Sequence, residues 1–266
     1  MLSGAIRNKM NLEVFSIMKS NIEESQLPQI LESLKTCINL KVVNLSENSL
    51  KSCGSYVTPM MKALTFIEVV ALNNSLIGSK GIHNILNALK DKPFLKDLYL
   101  SGNDIGDEGM KNLKNFFYSE FKGLRALSLV NNNITEDGAK FLSFFLKSKI
   151  QLQYLRLGSN KLKSKGVYYI LSVFTGKGDL NDFDVGNNAI GDEGSRHVEL
   201  FLSKNQNLTY LNVMKNEISE ERIVSILNIL KKQSTPCKIN VFGNKAKDEN
   251  IQKYFTAQIS SSGAKK

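Results

Sequence analysis

The chain has 266 residues, 42% hydrophobic and 23% charged with a formal net charge of +10, a globular composition that excludes a chain disordered throughout. No apolar run approaches the ~18 residues that span a bilayer, and the first residues carry no apolar signal core, so neither a membrane-spanning segment nor classical secretion is expected. Three separated cysteines (Cys37, Cys53, Cys237) argue against a disulfide framework and for a reducing, cytoplasmic setting, while two histidines leave little material for a metal site or a bound cofactor.

The sequence opens on Leu2, Ala5 and Ile6, which share the phase of Ile85, Ala88 and Leu89. It is therefore expected to start midway through a helix, either as a half-helix cap or as the cut edge of a longer array. From there a repeat dominates. Its clearest copy is Leu95-Lys-Asp-Leu98-Tyr-Leu100-Ser-Gly-Asn103-Asp-Ile105, spaced L-x-x-L-x-L-x-x-N-x-L. Copies start at 12, 40, 67, 95, 124, 152, 180, 208 and 236, at intervals of 27 to 29 residues.

Each unit has two halves. The first alternates, as in Leu98/Leu100 and Leu155/Leu157, which predicts a short strand. The second has a period near 3.6, as in Gly138-Ala139-x-x-Leu142-x-x-x-Leu146, which predicts a helix with one apolar stripe. Repetition in one direction gives a parallel sheet with helices on one side. Strands stack about 4.8 Å apart and helix axes need about 8–10 Å, so the array bends with its strands on the concave wall.

Repeat 2 is one residue short and holds Pro59 in its helical half, which predicts a broken or 3₁₀ turn there. Repeat 4 has one extra residue near 117–121, expected as a longer return loop. After Asn244 a final helix is predicted over 246–259, with Ile251, Tyr254 and Phe255 inward, followed by a disordered tail at 260–266. The expected organisation is a single domain over 1–259, with a partial repeat or cap at 1–11, nine strand-bearing repeats at 12–245 and the terminal helix.

This pattern resembles leucine-rich repeats of the ribonuclease-inhibitor-like type. The phrase Asn-x-Ile-Gly-Asp-Glu-Gly at 103–109 and 188–194 carries that resemblance, and the match covers about 12–250. It implies an α/β leucine-rich-repeat solenoid, a curved horseshoe with a parallel sheet inside and α-helices outside. It is nearly silent on function, since the family hosts inhibitors, GTPase activators, immune sensors and bacterial effectors.

The position after each strand reads Ser20, Asn48, Ser75, Asn103, Asn132, Asn160, Asn188, Asn216 and Asn244. A turning backbone loses its ladder partners there, and an inward amide side chain can bond adjacent loops, giving a structural asparagine ladder. Serine at 20 and 75 supplies fewer bonds and predicts a less rigid N-terminal third.

Residues that could carry chemistry read as structural. The acidic pairs Asp107-Glu108, Glu136-Asp137, Asp192-Glu193 and Glu220-Glu221 share one phase, the first turn of a helix, where negative charge suits the macrodipole. Ser79 and Ser164 hold that place in repeats 3 and 6 and are expected to cap. His83 and His197 are expected on outward helix faces. Gly81, Gly109, Gly138, Gly166 and Gly194 recur with the repeat as turn or close-packing glycines, not as a phosphate loop. No catalytic set is visible, so the protein is read as not an enzyme.

The concave wall is the candidate binding surface. Around the strands it holds seven cations (Lys19, Lys41, Lys96, Arg125, Arg156, Lys215, Lys238) and six anions (Glu13, Glu47, Glu68, Asp97, Asp182, Asp184). That face is nearly neutral, so the positive excess lies elsewhere, including a basic edge at Lys161, Lys163 and Lys165 near Lys147 and Lys149. With 30 lysines and five arginines, a solvated surface is favoured over nucleic-acid binding. Tyr154, Asp182 and Tyr210 share one predicted row; Tyr99, Ser128, Arg156, Asp184 and Asn212 share the next, flanked by Asp97 and Arg125. Tyrosine and arginine amid mixed charge is the composition of interface hot spots. The competing structural reading pairs Arg156 with Asp184. Val14, Val42 and Val69 continue the first row as an apolar strip.

The expected function is a noncatalytic scaffold, a monomer binding a protein partner on its concave face. The alternatives are a GTPase activator of the Ran-activating type, or the recognition part of a larger immune sensor or of a bacterial effector acting in host cytoplasm. No arginine directly follows a repeat asparagine and the tail is basic, both departures from the activator pattern.

Overall fold

The computed structural model describes residues 2–20, 22, 25–50, 54–114, 123–147, 151–246 and 249. Cys53, Lys149, the return loop at 117–121, the tail and nearly all of the predicted terminal helix, with Ile251, Tyr254 and Phe255, lie outside them. The elements alternate along the sequence: α1 (Leu2–Ile6), β1 (Val14–Ser16), α2 (Leu27–Leu34), β2 (Val42–Asn44), α3 (Gly54–Ala63), β3 (Val69–Ala71), α4 (Gly78–Leu89), β4 (Asp97–Tyr99), α5 (Gly106–Lys114), β5 (Ala126–Ser128), α6 (Glu136–Leu146), β6 (Tyr154–Arg156), α7 (Lys163–Phe174), β7 (Asp182–Asp184), α8 (Gly191–Lys204), β8 (Tyr210–Asn212), α9 (Glu220–Lys231) and β9 (Lys238–Asn240).

The nine strands form one open parallel sheet in sequence order. Every predicted strand start is followed by one. The middle residue of each points inward, and Phe15, Val43, Val70, Leu98, Leu127, Leu155, Phe183 and Leu211 are buried. They pack under helix residues of the 3.6-period stripe, such as Leu86, Leu142, Ile170, Val198 and Ile226, in one continuous core. Each helix lies against the next along the array. This is the leucine-rich-repeat solenoid implied by the repeat.

The asparagines tie repeats together as two-sided clamps. Asn132 Nδ2 donates to the carbonyls of Leu100 (2.9 Å) and Val130 (3.2 Å), and its Oδ1 accepts from the amides of Asn103 (3.0 Å) and Ile105 (3.4 Å). Asn103, Asn160, Asn188, Asn216 and Asn244 repeat the arrangement, each donating to a carbonyl in the preceding unit. Asn48 donates to Ile17, but its buried Oδ1 has no partner. Ser75 turns back on Asn73 O (3.0 Å) and clamps nothing.

Pro59 corrects the expectation for repeat 2: it lies inside the helix α3. The residue is exposed, so its ring takes no place in the core beneath α3. The expected serine caps are also corrected. The N-caps of α4 and α7 are Ile77 and Leu162, already in helical conformation and bonding no amide through a side group, and Ser164 Oγ is buried without a partner. At the N-terminus only Ile6 is buried; Leu2 and Ala5 are exposed.

The acidic pairs occupy the first turns of α5, α6, α8 and α9. Two of them do more than meet the macrodipole. Asp107 Oδ1 accepts from the amides of Thr135 (2.8 Å) and Gly138 (3.1 Å), so it caps α6 in the next repeat. Asp192 Oδ1 accepts from Ser219 N at 2.7 Å before α9, and that bond holds its carboxyl below the ordinary range. The recurrent glycines have ordinary negative φ, which identifies them as close-packing positions. A Cβ on Gly194 would lie 2.7 Å from Ile190 Cβ and 3.3 Å from Ser164 Cα of α7.

Replacing Asn132 by leucine strands buried backbone groups in two repeats and is expected to destabilise by about 3 kcal/mol. Urea unfolding read by circular dichroism checks it; a midpoint equal to wild type removes the clamp from the account.

Candidate functional site

On a strand whose middle residue is buried, the flanking residues point away from the helices. The sheet register sets these into rows. One row runs Val14, Val42, Val69, Asp97, Ala126, Tyr154, Asp182, Tyr210 and Lys238. The neighbouring row brings together Tyr99, Ser128, Arg156, Asp184 and Asn212. Eight of the nine residues singled out from the sequence therefore lie in these rows, across β4 to β8, and the ninth, Arg125, immediately precedes β5.

Ion pairs between adjacent strands organise that face. Lys41 Nζ reaches Glu13 (2.9 Å) and Lys96 Nζ reaches Glu68 (2.7 Å). Arg125 donates from Nε and Nη2 to both oxygens of Asp97 at 3.0–3.3 Å. Arg156 pairs with Asp182, Nη2 to Oδ2 at 2.8 Å and Nε to Oδ1 at 3.3 Å. That corrects the competing reading, which paired Arg156 with Asp184. Asp184 instead accepts from Gly186 N (2.9 Å), and the long guanidinium stem reaches diagonally to Asp182.

The two arginine pairs are layered. The carboxylates of Asp97 and Asp182 have side chains only 10% and 9% exposed, while those of Arg125 and Arg156 are 49% and 50% exposed. Anions lie beneath and cations above. The hydrogen bond from each guanidinium to its aspartate raises both arginine pKa values, so both stay charged. Arg125 also stands over the Tyr154 ring, 5.9 Å from its centroid. Burial, then the neighbouring aspartates, push the phenols of Tyr99 and Tyr210 up, so both remain donors near neutrality.

Elsewhere the sequence candidates disperse. Lys161, Lys163 and Lys165 are exposed along one edge and form no ion pair among the described residues. His83 and His197 prove half-buried rather than outward-facing: His83 Nε2 is 2.9 Å from Asn87 Nδ2, and His197 lies against Tyr168 at 5.1 Å. Buried Cys37 and half-buried Cys237, whose thiol burial pushes up to about 11, are far apart in sequence and both free. No group of three or more metal-ligating side chains is present among the described residues. Nor is any described helix long and apolar enough to cross a membrane.

Burial raises the carboxyl pKa of Asp184 above its ordinary 3.8. A carboxyl raised by folding favours the protonated native state, so its ionisation reduces stability as pH rises through the folded value. Asp184→Asn keeps the acceptor for Gly186 N and removes that ionisation. The variant is expected to unfold at a higher temperature than wild type at pH 7, with the gap closing as pH falls toward 3.8. Thermal melts across that range test it, and a lower melting point for the variant at pH 7 contradicts it.

Comparison with known proteins follows the same architecture. A family model described as Leucine Rich repeat matches residues 91–114, 124–143 and 204–221. The mouse NACHT, LRR and PYD domains-containing protein 5 is 27% identical over 117 residues, which are 43% of this chain and 10% of that protein. The match thus spans only a small part of that much longer relative. A crystal structure of a Bacteroides fragilis protein superposes with a TM-score of 0.55 at 17% identity, covering 84% of this chain and 63% of that one. The leiomodin-1 actin-binding site 2 structure has a TM-score of 0.44 at 16% identity, over 80% of this chain and 98% of that one. The family-model segments and the mouse relative point to leucine-rich repeats without resolving the ribonuclease-inhibitor-like type. In its matched segments, nine-strand register and asparagine clamps the chain is similar to leucine-rich-repeat proteins and has their solenoid fold.

Proposed function

We propose that the protein is a noncatalytic scaffold that binds a protein partner on the concave face of its sheet, centred on β4 to β8. The observation that carries this reading is the layered pairing of Arg125 on Asp97 and Arg156 on Asp182, with Tyr154 between them. Such side chains have no core to pack against, yet they are held in fixed positions. Pre-ordered arginine and tyrosine lose little conformational entropy on binding, which is what hot spots require. Leucine-rich repeats commonly mediate protein interactions, and nine strands at about 4.8 Å spacing give a wall of roughly 40 Å, long enough for a standard interface.

The test is affinity capture from cytosol on wild type beside the Tyr154→Ala/Arg156→Glu/Tyr210→Ala variant, with circular dichroism confirming that both are folded. A protein held by wild type and lost by the variant, with at least a tenfold weaker Kd in a purified binary assay, is the expected result. Equal capture by both moves the site off this face.

A further inference from the structure

The concave face is not uniform along its length, and the break lies over β5. Arg125, just before β5, reaches back to Asp97 on β4, whereas Arg156 on β6 reaches forward to Asp182 on β7. The two side chains therefore lean away from each other. Between them β5 presents only the small residues Ala126 and Ser128, both buried at the sheet surface. The result is a trough of about 270 Å³ with those two on its floor and Tyr99, Tyr154, Arg125 and Arg156 around it, the carboxylate of Asp97 lying beneath Arg125 at its edge.

Its rim is rich in unused donors. Asp97 and Asp182 engage Nε and Nη2 of their arginines and leave Nη1 of both without a hydrogen bond to any described residue. The hydroxyls of Tyr99 and Tyr154 are likewise unengaged by described residues. Four donor groups thus surround one cavity, and a guanidinium edge is shaped to meet a planar, two-oxygen acceptor. The two aspartates balance the two guanidinium charges, so recognition rests on donor geometry rather than net charge, which suits a monoanion better than a doubly charged phosphate. An approaching cation would meet the half-exposed guanidiniums before either carboxylate.

We propose that the trough over β5 takes a carboxylate of the protein partner, from an aspartate, a glutamate or a free C-terminus, against the Nη1 edges of Arg125 and Arg156 and the hydroxyls of Tyr99 and Tyr154. This rests on the concave-face reading above and names the chemistry by which that face selects. The aspartates act as positioning residues, holding each guanidinium with its free edge outward.

The test uses the full 266-residue chain and a displayed library of random peptides, panned on wild type and counter-selected on the folded Tyr154→Ala/Arg156→Glu/Tyr210→Ala variant. Enriched peptides are expected to share an acidic side chain or a free C-terminus. Converting that carboxylate to the amide should weaken binding at least tenfold. Arg125→Lys, which keeps the charge and loses the fork, should weaken binding at least fivefold. Asp97→Asn is the decisive variant, since it adds positive charge while releasing Arg125. Weaker binding supports a positioned guanidinium, and tighter binding reduces the effect to bulk charge and overturns the proposal. Peptides lost on the triple variant but indifferent to amidation overturn the carboxylate while leaving the concave face in place. Failure to enrich any peptide that depends on the triple-variant residues removes both.

Discussion

The structure depends on satisfying the backbone where each strand ends and the chain turns toward its helix. Those amides and carbonyls are buried between neighbouring units, where an unpaired group is costly. One asparagine side chain per repeat meets the need from both sides, donating backward to the preceding unit and accepting amides from that unit's turn, as Asn160 does with Leu129 O and the amides of Asn132 and Ile134. Because each clamp belongs to two repeats, register passes from unit to unit without long-range contacts. Where serine interrupts the series the coupling is thinner, and Asn48 keeps an unpartnered oxygen. The exposed apolar residues Met10, Val14, Ile38, Phe66 and Phe94 lie in the same N-terminal third, so weak clamping and unburied hydrophobic surface coincide.

A clamped solenoid leaves its strands free to display whatever the outward positions hold, because those side chains have no part in the core. In repeats 1 to 5 the concave charges pair backward along the array, lysine or arginine onto the acid of the preceding strand. From repeat 6 the sense reverses. Pairing in one sense spreads a regular, self-neutralised surface, and reversing it opens a gap of one strand's width. The geometry of the candidate site is therefore a consequence of register combined with which member of each pair is acidic, and no loop insertion is needed to make it.

Most of the architecture was legible because the repeat writes strand and helix with different periods, and nine copies make the register hard to mistake. The rows of the concave face followed from that register. The misreadings have local causes. Pro59 was read as a break because a single sequence does not say which side of a helix a proline falls on, and here it is exposed. Ser79 and Ser164 occupy the phase of the acidic pairs, but Ile77 and Leu162 already stand in helical conformation ahead of them, so neither serine is placed to cap. Arg156 faces Asp184 in register, yet Asp184 is engaged by its own turn and the guanidinium reaches Asp182. Asp107 and Asp192 looked like macrodipole charges, and their bonds to the next repeat depend on curvature that no local pattern encodes.

The charge distribution follows the same division of labour. The net +10 charge is not concentrated on the concave wall, where four cross-strand ion pairs neutralise one another among the described residues. Exposed lysines such as Lys161, Lys163 and Lys165 stand apart from those pairs. Long-range attraction of acidic molecules then acts on the whole body and is screened within about 8 Å at physiological salt. Selection on the concave face must come from contact: ring faces, fixed donor directions and a trough of defined width. Mutating an edge lysine and mutating Arg156 therefore perturb different steps, encounter in the first case and residence in the second.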